Sequence, residues 1–195
     1  MPVTRFEDLD LSRQYTYADY LTWQFQECVE LLRGWVARMS PAPNMRHQDI
    51  ATRLTGHLYQ ELSLSACKLF AAPFDVRLPR TDSAESVVQL DLCVICDQHK
   101  LTEQGCTGAP DWVNEILSPG NTNREMRDKY ALYEESGVRE YWVVDPMNEH
   151  VLRYVNRGGT FIGLAPRTRE DERIKCECFP DLEISGGEVF GESAT

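Results

Sequence analysis

The sequence lacks any apolar run near the roughly 20 residues of a transmembrane helix. Its first residues, MPVTRFEDLDLSRQ, are acidic and carry no signal-peptide core. These absences argue against a membrane partner and against export, so a cytoplasmic location is expected. Repeats and linker-like stretches are also missing. A chain of 195 residues without them predicts one domain over residues 1–195, with residues 1–14 and 191–195 frayed.

Basic residues are scarce: 20 Lys and Arg stand against 31 Asp and Glu, for a formal net charge of -11. Because phosphate binding uses Lys and Arg, this charge balance counts against a generally basic surface that binds nucleic acid. It leaves room for a nuclease, since a metal-dependent site is itself acidic and bound cations offset its charge. A local basic patch could still form, although for each arginine alone solvated surface is the simpler interpretation. The candidates are Arg46, Arg53, Arg77, Arg80, Arg124 and Arg127.

The seven cysteines form no framework, and their odd number and scattered positions predict reduced thiols. Cys93 and Cys96 have the spacing of half a zinc site. On a strand their sulfurs would point to opposite faces, which indicates core positions. Cys176 and Cys178 would share a strand face, but the sequence shows no two further ligands at the usual spacing, so no structural metal is expected.

Hydrophobic residues make up 42% of the chain and aromatic residues 10%, as is typical of a folded domain. Helical spacing after a possible cap at Thr16 predicts a helix over residues 16–27. Two apolar runs about Arg33-Gly34 predict a hairpin over residues 29–39. After the break Ser-Pro-Ala-Pro-Asn, an amphipathic helix is expected over residues 45–62. A strand pair or bent strand broken at Pro73 follows over residues 68–78.

Strand and helix patterns alternate in the second half of the chain. Residues 87–96 predict one central strand, and the apolar segment around Glu115 predicts another, both covered on two faces. A helix over residues 122–136, with a capping box at Thr122 and Glu125, should cross over to a strand at residues 139–146. The expected helix stop is Gly137, and the later segments are a hairpin over residues 151–164 and short pieces near residues 173–182. The predicted fold class is mixed α/β, with a mixed central β-sheet flanked by helices.

Glu115 is the exceptional residue of its segment. On a strand it shares a face with Val113 and Leu117, which points its carboxylate toward the interior. Burial of an unpaired carboxylate is costly, so a cation, a hydrogen-bonding network or a shifted proton is expected beside it. Asp111 lies on the same strand face and could assist. A turn role at the strand entrance explains Asp111 equally well.

Two other residues complete a constellation with Glu115. Asp91 is the single acid within the apolar run 87–96, where a ligand role is favoured over pairing with an arginine or capping a helix. On the helical wheel Lys129 falls between Leu132 and Tyr133, on the apolar face of its helix. Two carboxylates can hold a hard divalent cation, and an ammonium group nearby can stabilise or orient a phosphate.

These residues resemble the PD-(D/E)XK restriction-endonuclease-like superfamily, in the branch where the motif lysine has migrated from strand to helix. The sequence of residues 109–146 is similar to that of a large branch of restriction endonucleases of unassigned biology. It reads APDWVNEILSPGNTNREMRDKYALYEESGVREYWVVDP. Residues 29–50, VELLRGWVARMSPAPNMRHQDI, resemble the usual opening of that branch. The resemblance covers most of the chain and implies a restriction-endonuclease-like core.

The resemblance also implies functions for further residues. Glu30 matches the acid of the opening motif and could join the metal site, or it could be an exposed charge at a strand end. The backbone carbonyl of Ile116 is an expected additional metal ligand. His47 matches a histidine of the branch, so it lies either near the substrate or on the surface of a helix turn. The implied cofactor is Mg²⁺ or Mn²⁺, bound mainly by Asp91 and Glu115.

The resulting hypothesis is a metal-dependent endonuclease that hydrolyses DNA phosphodiester bonds, using Asp91, Glu115, Lys129 and Glu30. A homodimer would suit an enzyme that cuts two strands. The main alternative is a degenerate nuclease fold that binds nucleic acid or protein without catalysis. A cysteine hydrolase using His47 or His57 is disfavoured, because no cysteine follows the strand-to-helix pattern of a nucleophile elbow.

Overall fold

The computed structural model describes residues 3–39, 44–81, 84–119 and 123–191. The helices in these ranges are α1 (Tyr17–Tyr20), α2 (Met45–Leu62), α3 (Asn123–Ser136) and α4 (Gly186–Phe190), with 3-10 turns at Phe6–Asp8 and Gln98–Lys100. The strands are β1 (Val29–Leu32), β2 (Trp35–Arg38), β3 (Lys68–Ala71), β4 (Asp75–Thr81), β5 (Ala84–Gln89), β6 (Leu92–Ile95), β7 (Leu101–Thr102), β8 (Gly105–Thr107), β9 (Trp112–Ile116), β10 (Glu140–Asp145), β11 (His150–Arg157), β12 (Thr160–Gly163), β13 (Arg167–Thr168), β14 (Ile174–Lys175) and β15 (Glu183–Ile184).

Most of these strands belong to two sheets. The first sheet has the order β2-β1-β5-β4-β8-β7, and the second has the order β12-β11-β10-β9-β6-β3, with β13 added beside β11. In the second sheet β9 and β10 run parallel, whereas β10 and β11 run antiparallel. The predicted mixed α/β class is therefore confirmed. The strands nevertheless divide between two large sheets instead of forming one.

Packed side chains cover both faces of the second sheet. On one face, Ile50 and Leu54 of α2 are buried in a core with Trp142. On the other face, Leu132 of α3 is buried in a second core with Val113. Adjacent residues of a strand point to opposite faces, so β9 contributes to both cores. This double cover explains why the sequence around Glu115 is apolar without a clean alternation.

The predicted single strand over residues 87–96 is wrong. β5 ends at Gln89 and belongs to the first sheet, whereas β6 begins at Leu92 and belongs to the second. Leu90 and Asp91 form the link between the two. Both strands are buried, so apolar residues continue across the break and hydrophobic periodicity does not reveal it. Asp91 thus lies in the link that connects the first sheet to the second.

The N-terminal helix is much shorter than the predicted 16–27. Thr16 does cap it, since its side chain accepts from the backbone N–H of Asp19 in a capping box, but α1 ends at Tyr20. Beyond that point Trp23 turns inward and its ring lies 5.2 Å from that of Tyr15. The aromatic spacing that resembled a helix therefore comes from a compact cluster of rings, which packs against the first sheet.

Other predicted elements are confirmed. The hairpin β1-β2 turns at Arg33 and Gly34, both with positive φ, as a two-residue hairpin turn requires. α2 spans the predicted residues, and the Asn44 side chain accepts from the backbone N–H of His47 at 2.9 Å. The segment 68–78 divides near Pro73 into β3 and β4, which belong to different sheets.

The crossover from β9 through α3 to β10 is also confirmed, since β9 and β10 are parallel neighbours. Gly137 follows α3 with φ 85°, a conformation that favours glycine at a helix end. The predicted cap residue Thr122 lies outside the described residues. The later hairpin is β11-β12, whose turn contains Gly158 and Gly159.

The cysteines differ from the expectation of reduced thiols. Cys67 and Cys96 form a disulfide at the ends of the antiparallel pair β3 and β6. Sequence spacing does not reveal the bond, because the two residues meet only when β3 pairs with β6. Cys93 is buried, in agreement with its predicted core position. No helix in the described part of the chain is long and apolar enough to cross a membrane.

Candidate active site

A buried cluster of charges forms where α3 lies between the two sheets. Lys129 of α3 places its Nζ atom 3.1 Å from Oε1 of Glu30 on β1 and 3.1 Å from Oε1 of Glu115 on β9. Glu30 and Lys129 are only 3% and 7% exposed, so water screens these contacts poorly. The backbone N–H of Gln89 also donates to Oε1 of Glu30 at 3.0 Å. The predicted inward direction of Lys129 is thus confirmed, and Glu30 is buried instead of exposed at a strand end.

Asp91 lies at the edge of this cluster, at the link between β5 and β6. Its Oδ2 atom accepts from the backbone N–H of Ile116 at 2.7 Å, which places it beside the end of β9. Nε2 of His47, in the first turn of α2, lies 3.3 Å from the same oxygen. The His47 side chain is 7% exposed, so it belongs to this site and not to the helix surface.

The two oxygens of Glu115 have different surroundings. Oε1 accepts from the hydroxyl of Tyr133 at 2.5 Å and from Nζ of Lys129 at 3.1 Å. Within the described ranges, no protein group donates a hydrogen bond to Oε2. Lys129 and Tyr133 are four residues apart and therefore on one face of α3. The helix thus occupies one oxygen of the carboxylate and leaves the other available to a ligand.

The electrostatics of Glu115 are those of a carboxylate with too little positive charge around it. Burial raises its pKa to about 7, Lys129 opposes this rise, and the charges of Asp91 and Glu30 add to it. The pKa of Lys129 is raised, because Glu115 and Glu30 outweigh the effect of its burial, and its ammonium group stays charged. For His47, burial acts to lower the pKa, but Asp91 outweighs it and the pKa is raised.

The donor set fits a hard divalent cation. Asp91 and the free Oε2 of Glu115 offer carboxylate oxygens, which Mg²⁺ prefers, and a cation there would relieve the excess negative charge. The carboxylates are nevertheless spread out, with Lys129 between Glu30 and Glu115. Among the described residues, the group of three ligating atoms within 4.8 Å of one another lies elsewhere, at Glu140, Cys176 and Cys178.

Several other predicted candidates lie outside the cluster. Asp111 accepts from the backbone N–H of Cys96 at 2.8 Å and lies 3.1 Å from Arg139, so its contacts join distant segments of the chain. Nε2 of His57 lies 2.8 Å from the carbonyl oxygen of Glu183. Both residues therefore have structural partners that account for their positions.

Most of the arginine candidates whose side chains are described are paired with acids. Three of them form ion pairs, at 2.6 Å, 2.9 Å and 2.5 Å respectively: Arg46 with Glu149, Arg53 with Asp49 and Arg77 with Glu85. Arg127 is exposed on α3. The side chains of Arg80 and Arg124 lie outside the described part of the structure. Local acids therefore neutralise half of the predicted candidates.

Sequence reasoning missed Tyr133 as part of the site. Its hydroxyl makes the shortest contact to Glu115, and the signal was present, because Tyr133 follows Lys129 by four residues on the apolar face. Asn114, the polar neighbour of Glu115 on β9, is 0% exposed, since both faces of β9 are covered. On a strand that is covered on both faces, a polar residue is buried whichever face it points to.

The fold and the Lys129 cluster together define a protein of the restriction-endonuclease-like class. The chain belongs to the Uma2 family, described as "Putative restriction endonuclease", which it matches over residues 17–186. Its structure is similar to a crystal structure of "a putative nuclease belonging to DUF820 from Anabaena variabilis ATCC 29413". The TM-score is 0.73 at 18% identity, over 90% of this chain and 97% of that one, so the likeness shows a shared fold. No curated protein matches the chain.

The raised pKa of Glu115 predicts how pH affects the stability of the metal-free protein. Folding raises this pKa from 4.5 to about 7, so the contribution of Glu115 is fully present below pH 4.5 and is lost as the pH rises through 7. Glu115→Gln mimics the protonated acid, so its stability relative to wild type should increase across this interval, by up to about 1.4 kcal/mol for each pH unit.

Urea unfolding in the presence of a chelator, repeated from pH 4.5 to pH 8, measures this difference. Glu61→Gln, which removes an exposed carboxylate from α2, serves as the control and should show no such trend. A constant difference between wild type and Glu115→Gln over the whole range would contradict the assignment.

Proposed function

We propose that this nuclease-like protein is an endonuclease that hydrolyses DNA phosphodiester bonds with Mg²⁺ or Mn²⁺. The observation that carries the proposal is the arrangement at Glu115: Lys129 and Tyr133 hold Oε1, and no protein group within the described ranges donates to Oε2. Asp91 accepts from the backbone N–H of the next residue, Ile116. This arrangement orients the carboxylate through one oxygen and leaves its second oxygen without a protein donor in the described part of the chain. Membership of the Uma2 family supports the same chemistry.

Each residue of the cluster has a proposed role. Asp91, Glu115 and the carbonyl of Ile116 would hold the cation, which supplies an activated water and offsets charge on the phosphate. Lys129 would stabilise negative charge that develops on the phosphate. Glu30 would help to fix the Lys129 ammonium group through its 3.1 Å contact with Nζ, and His47 would orient Asp91 through its contact with Oδ2.

We also propose a domain organisation, a cellular location and an oligomeric state for the protein. We treat residues 1–195 as one functional domain that acts in the cytoplasm. A homodimer would bring two sites to the two strands of duplex DNA. The ion pairs of Arg46, Arg53 and Arg77 imply that DNA contacts come largely from the site itself and its bound cation.

A degenerate binding module is the second candidate. The observation that favours it is Lys129, which is engaged by two carboxylates at 3.1 Å, together with the lack of a compact set of three ligating atoms among the described residues of this site. A net charge of -11 also suits a protein partner. In that case the charged cluster would serve to join the two sheets.

Metal titration and DNA cleavage distinguish the two candidates. Wild type should bind Mn²⁺ in a calorimetric titration, and Asp91→Asn and Glu115→Gln should each weaken binding by roughly tenfold or more, because each removes a charged ligand. Asp128→Asn, which removes a carboxylate from the exposed face of α3, is the matched control and should bind as wild type does. Equal affinity in all four proteins would favour the binding module.

Lys129 should matter for the reaction more than for the cation. Lys129→Met should lower the rate of Mn²⁺-dependent cleavage of plasmid DNA by roughly 100-fold or more, because it removes a positive charge next to the phosphate. Lys68→Met, which alters an exposed lysine on β3, should cleave at the wild-type rate. Circular dichroism checks that both variants fold. Undiminished cleavage by a folded Lys129→Met would rule out this role.

Tyr133 should affect how pH controls metal binding. Its hydrogen bond lowers the pKa of Glu115, so Tyr133→Phe should raise that pKa and move the midpoint of Mn²⁺ binding to higher pH. Tyr130→Phe is the matched control, since it removes a hydroxyl from α3 that lies 3.4 Å from the carbonyl of Phe161. Identical pH midpoints in the two variants would refute the positioning role of Tyr133.

A further inference from the structure

A second cluster of ligating side chains lies away from Lys129, between β10 and the C-terminal segment. The ligating atoms of Glu140, Cys176 and Cys178 are all within 4.8 Å of one another. The two sulfurs are 3.4 Å apart, and Sγ of Cys176 lies 3.2 Å from Oε2 of Glu140. The close spacing of Cys176 and Cys178 is visible in the sequence, whereas Glu140 lies 36 residues before Cys176.

Glu140 is held as an oriented anion would be. It is 0% exposed, Oε1 accepts from the indole N–H of Trp142 at 2.6 Å, and Oε2 accepts from the backbone N–H of Cys178 at 2.8 Å. Such outer hydrogen bonds are the usual support of a metal-ligating carboxylate. Within the described ranges no lysine or arginine lies within 4.0 Å of Glu140 to form an ion pair with it, although an unpaired buried carboxylate is costly.

The charges of the cluster also suit a divalent cation. Arg153 of β11 is 4% exposed, and its charge interacts favourably with Glu140 and Cys176. A divalent ion together with this guanidinium group would balance one carboxylate and two thiolates. Burial raises the pKa of the Cys176 thiol, so this thiol stays protonated without the ion. Metal binding would therefore release protons.

We propose that Glu140, Cys176 and Cys178 form a Zn²⁺ site that fastens the C-terminal segment to the second sheet. Two sulfurs and one carboxylate oxygen suit zinc, whereas magnesium and manganese prefer oxygen alone. Zinc takes four ligands, and Cys178 is half-buried, so a water molecule can reach the fourth position.

This zinc site is independent of the candidate active site. In the pairing of β9 with β10, Glu140 lies opposite Trp112, whereas Glu115 lies opposite Val143. The two acids are thus separated by three residues along the strands, about 10 Å. The Glu140 side chain contacts Trp142 in the core beneath α2, whereas Glu115 contacts Tyr133 in the core beneath α3. Loss of one site should therefore leave the other intact.

The first test is a titration of the reduced protein with Co²⁺, a spectroscopic substitute for Zn²⁺. Wild type should develop a sulfur-to-metal charge-transfer band that saturates at one equivalent and disappears when Zn²⁺ is added. Cys176→Ser and Cys178→Ser should lose the band, and Glu140→Gln should weaken binding by roughly tenfold or more. Cys28→Ser, which alters an exposed free thiol, and Asp91→Asn should keep it.

A second measurement uses wild type alone, in case the variants fail to fold. Zn²⁺ should slow the alkylation of Cys178, as followed by mass spectrometry, and a chelator should restore the original rate. The proposal would be overturned if wild type showed no thiolate band or if the band survived in both serine variants. It would also be overturned if Cys178 were alkylated at the same rate with and without Zn²⁺. If Asp91→Asn keeps the band, the zinc site forms independently of the proposed nuclease site, so failure of one proposal would not decide the other.

Discussion

One buried ammonium group connects the main parts of this molecule. Lys129 of the crossover helix contacts Glu30 of the first sheet and Glu115 of the second, so a single side chain joins both sheets to α3. Burial of an ion pair has a large desolvation cost, and removal of one partner leaves an uncompensated charge. The positions of β1, β9 and α3 are therefore linked through this contact, and so is the geometry of the candidate site.

Burial raises the pKa of Glu115, and the contact with Lys129 opposes this rise. One ammonium group serves two carboxylates, with Asp91 nearby as a third, which leaves the cluster with excess negative charge. Such a cluster costs stability in the absence of a cation, as is common where function sets the arrangement. The surrounding cores compensate, since α2 and α3 bury apolar side chains on both faces of the second sheet.

Much of the site could be predicted from sequence, because local periodicity decides which face a residue occupies. The inward directions of Lys129 and Glu115 follow from helix and strand spacing alone. Local spacing does not reveal which distant strands pair with each other. The Cys67–Cys96 disulfide, the division of residues 87–96 between two sheets and the approach of Glu140 to Cys176 all depend on which strands become neighbours. The predicted helix over residues 16–27 was wrong for a different reason. Its aromatic residues have helical spacing, but beyond the short α1 they pack in a cluster of rings.

We propose that Asp91 and the free oxygen of Glu115 bind the catalytic cation while Lys129 and Tyr133 hold the other oxygen. A crystal structure of the protein with Mn²⁺, with anomalous differences collected to locate the ion, tests it most directly. We expect an anomalous peak between Asp91 and Oε2 of Glu115, with Oε1 still bonded to Lys129 and Tyr133. A fully soaked crystal without a peak at these carboxylates, or with Mn²⁺ bound only by other residues, would contradict it.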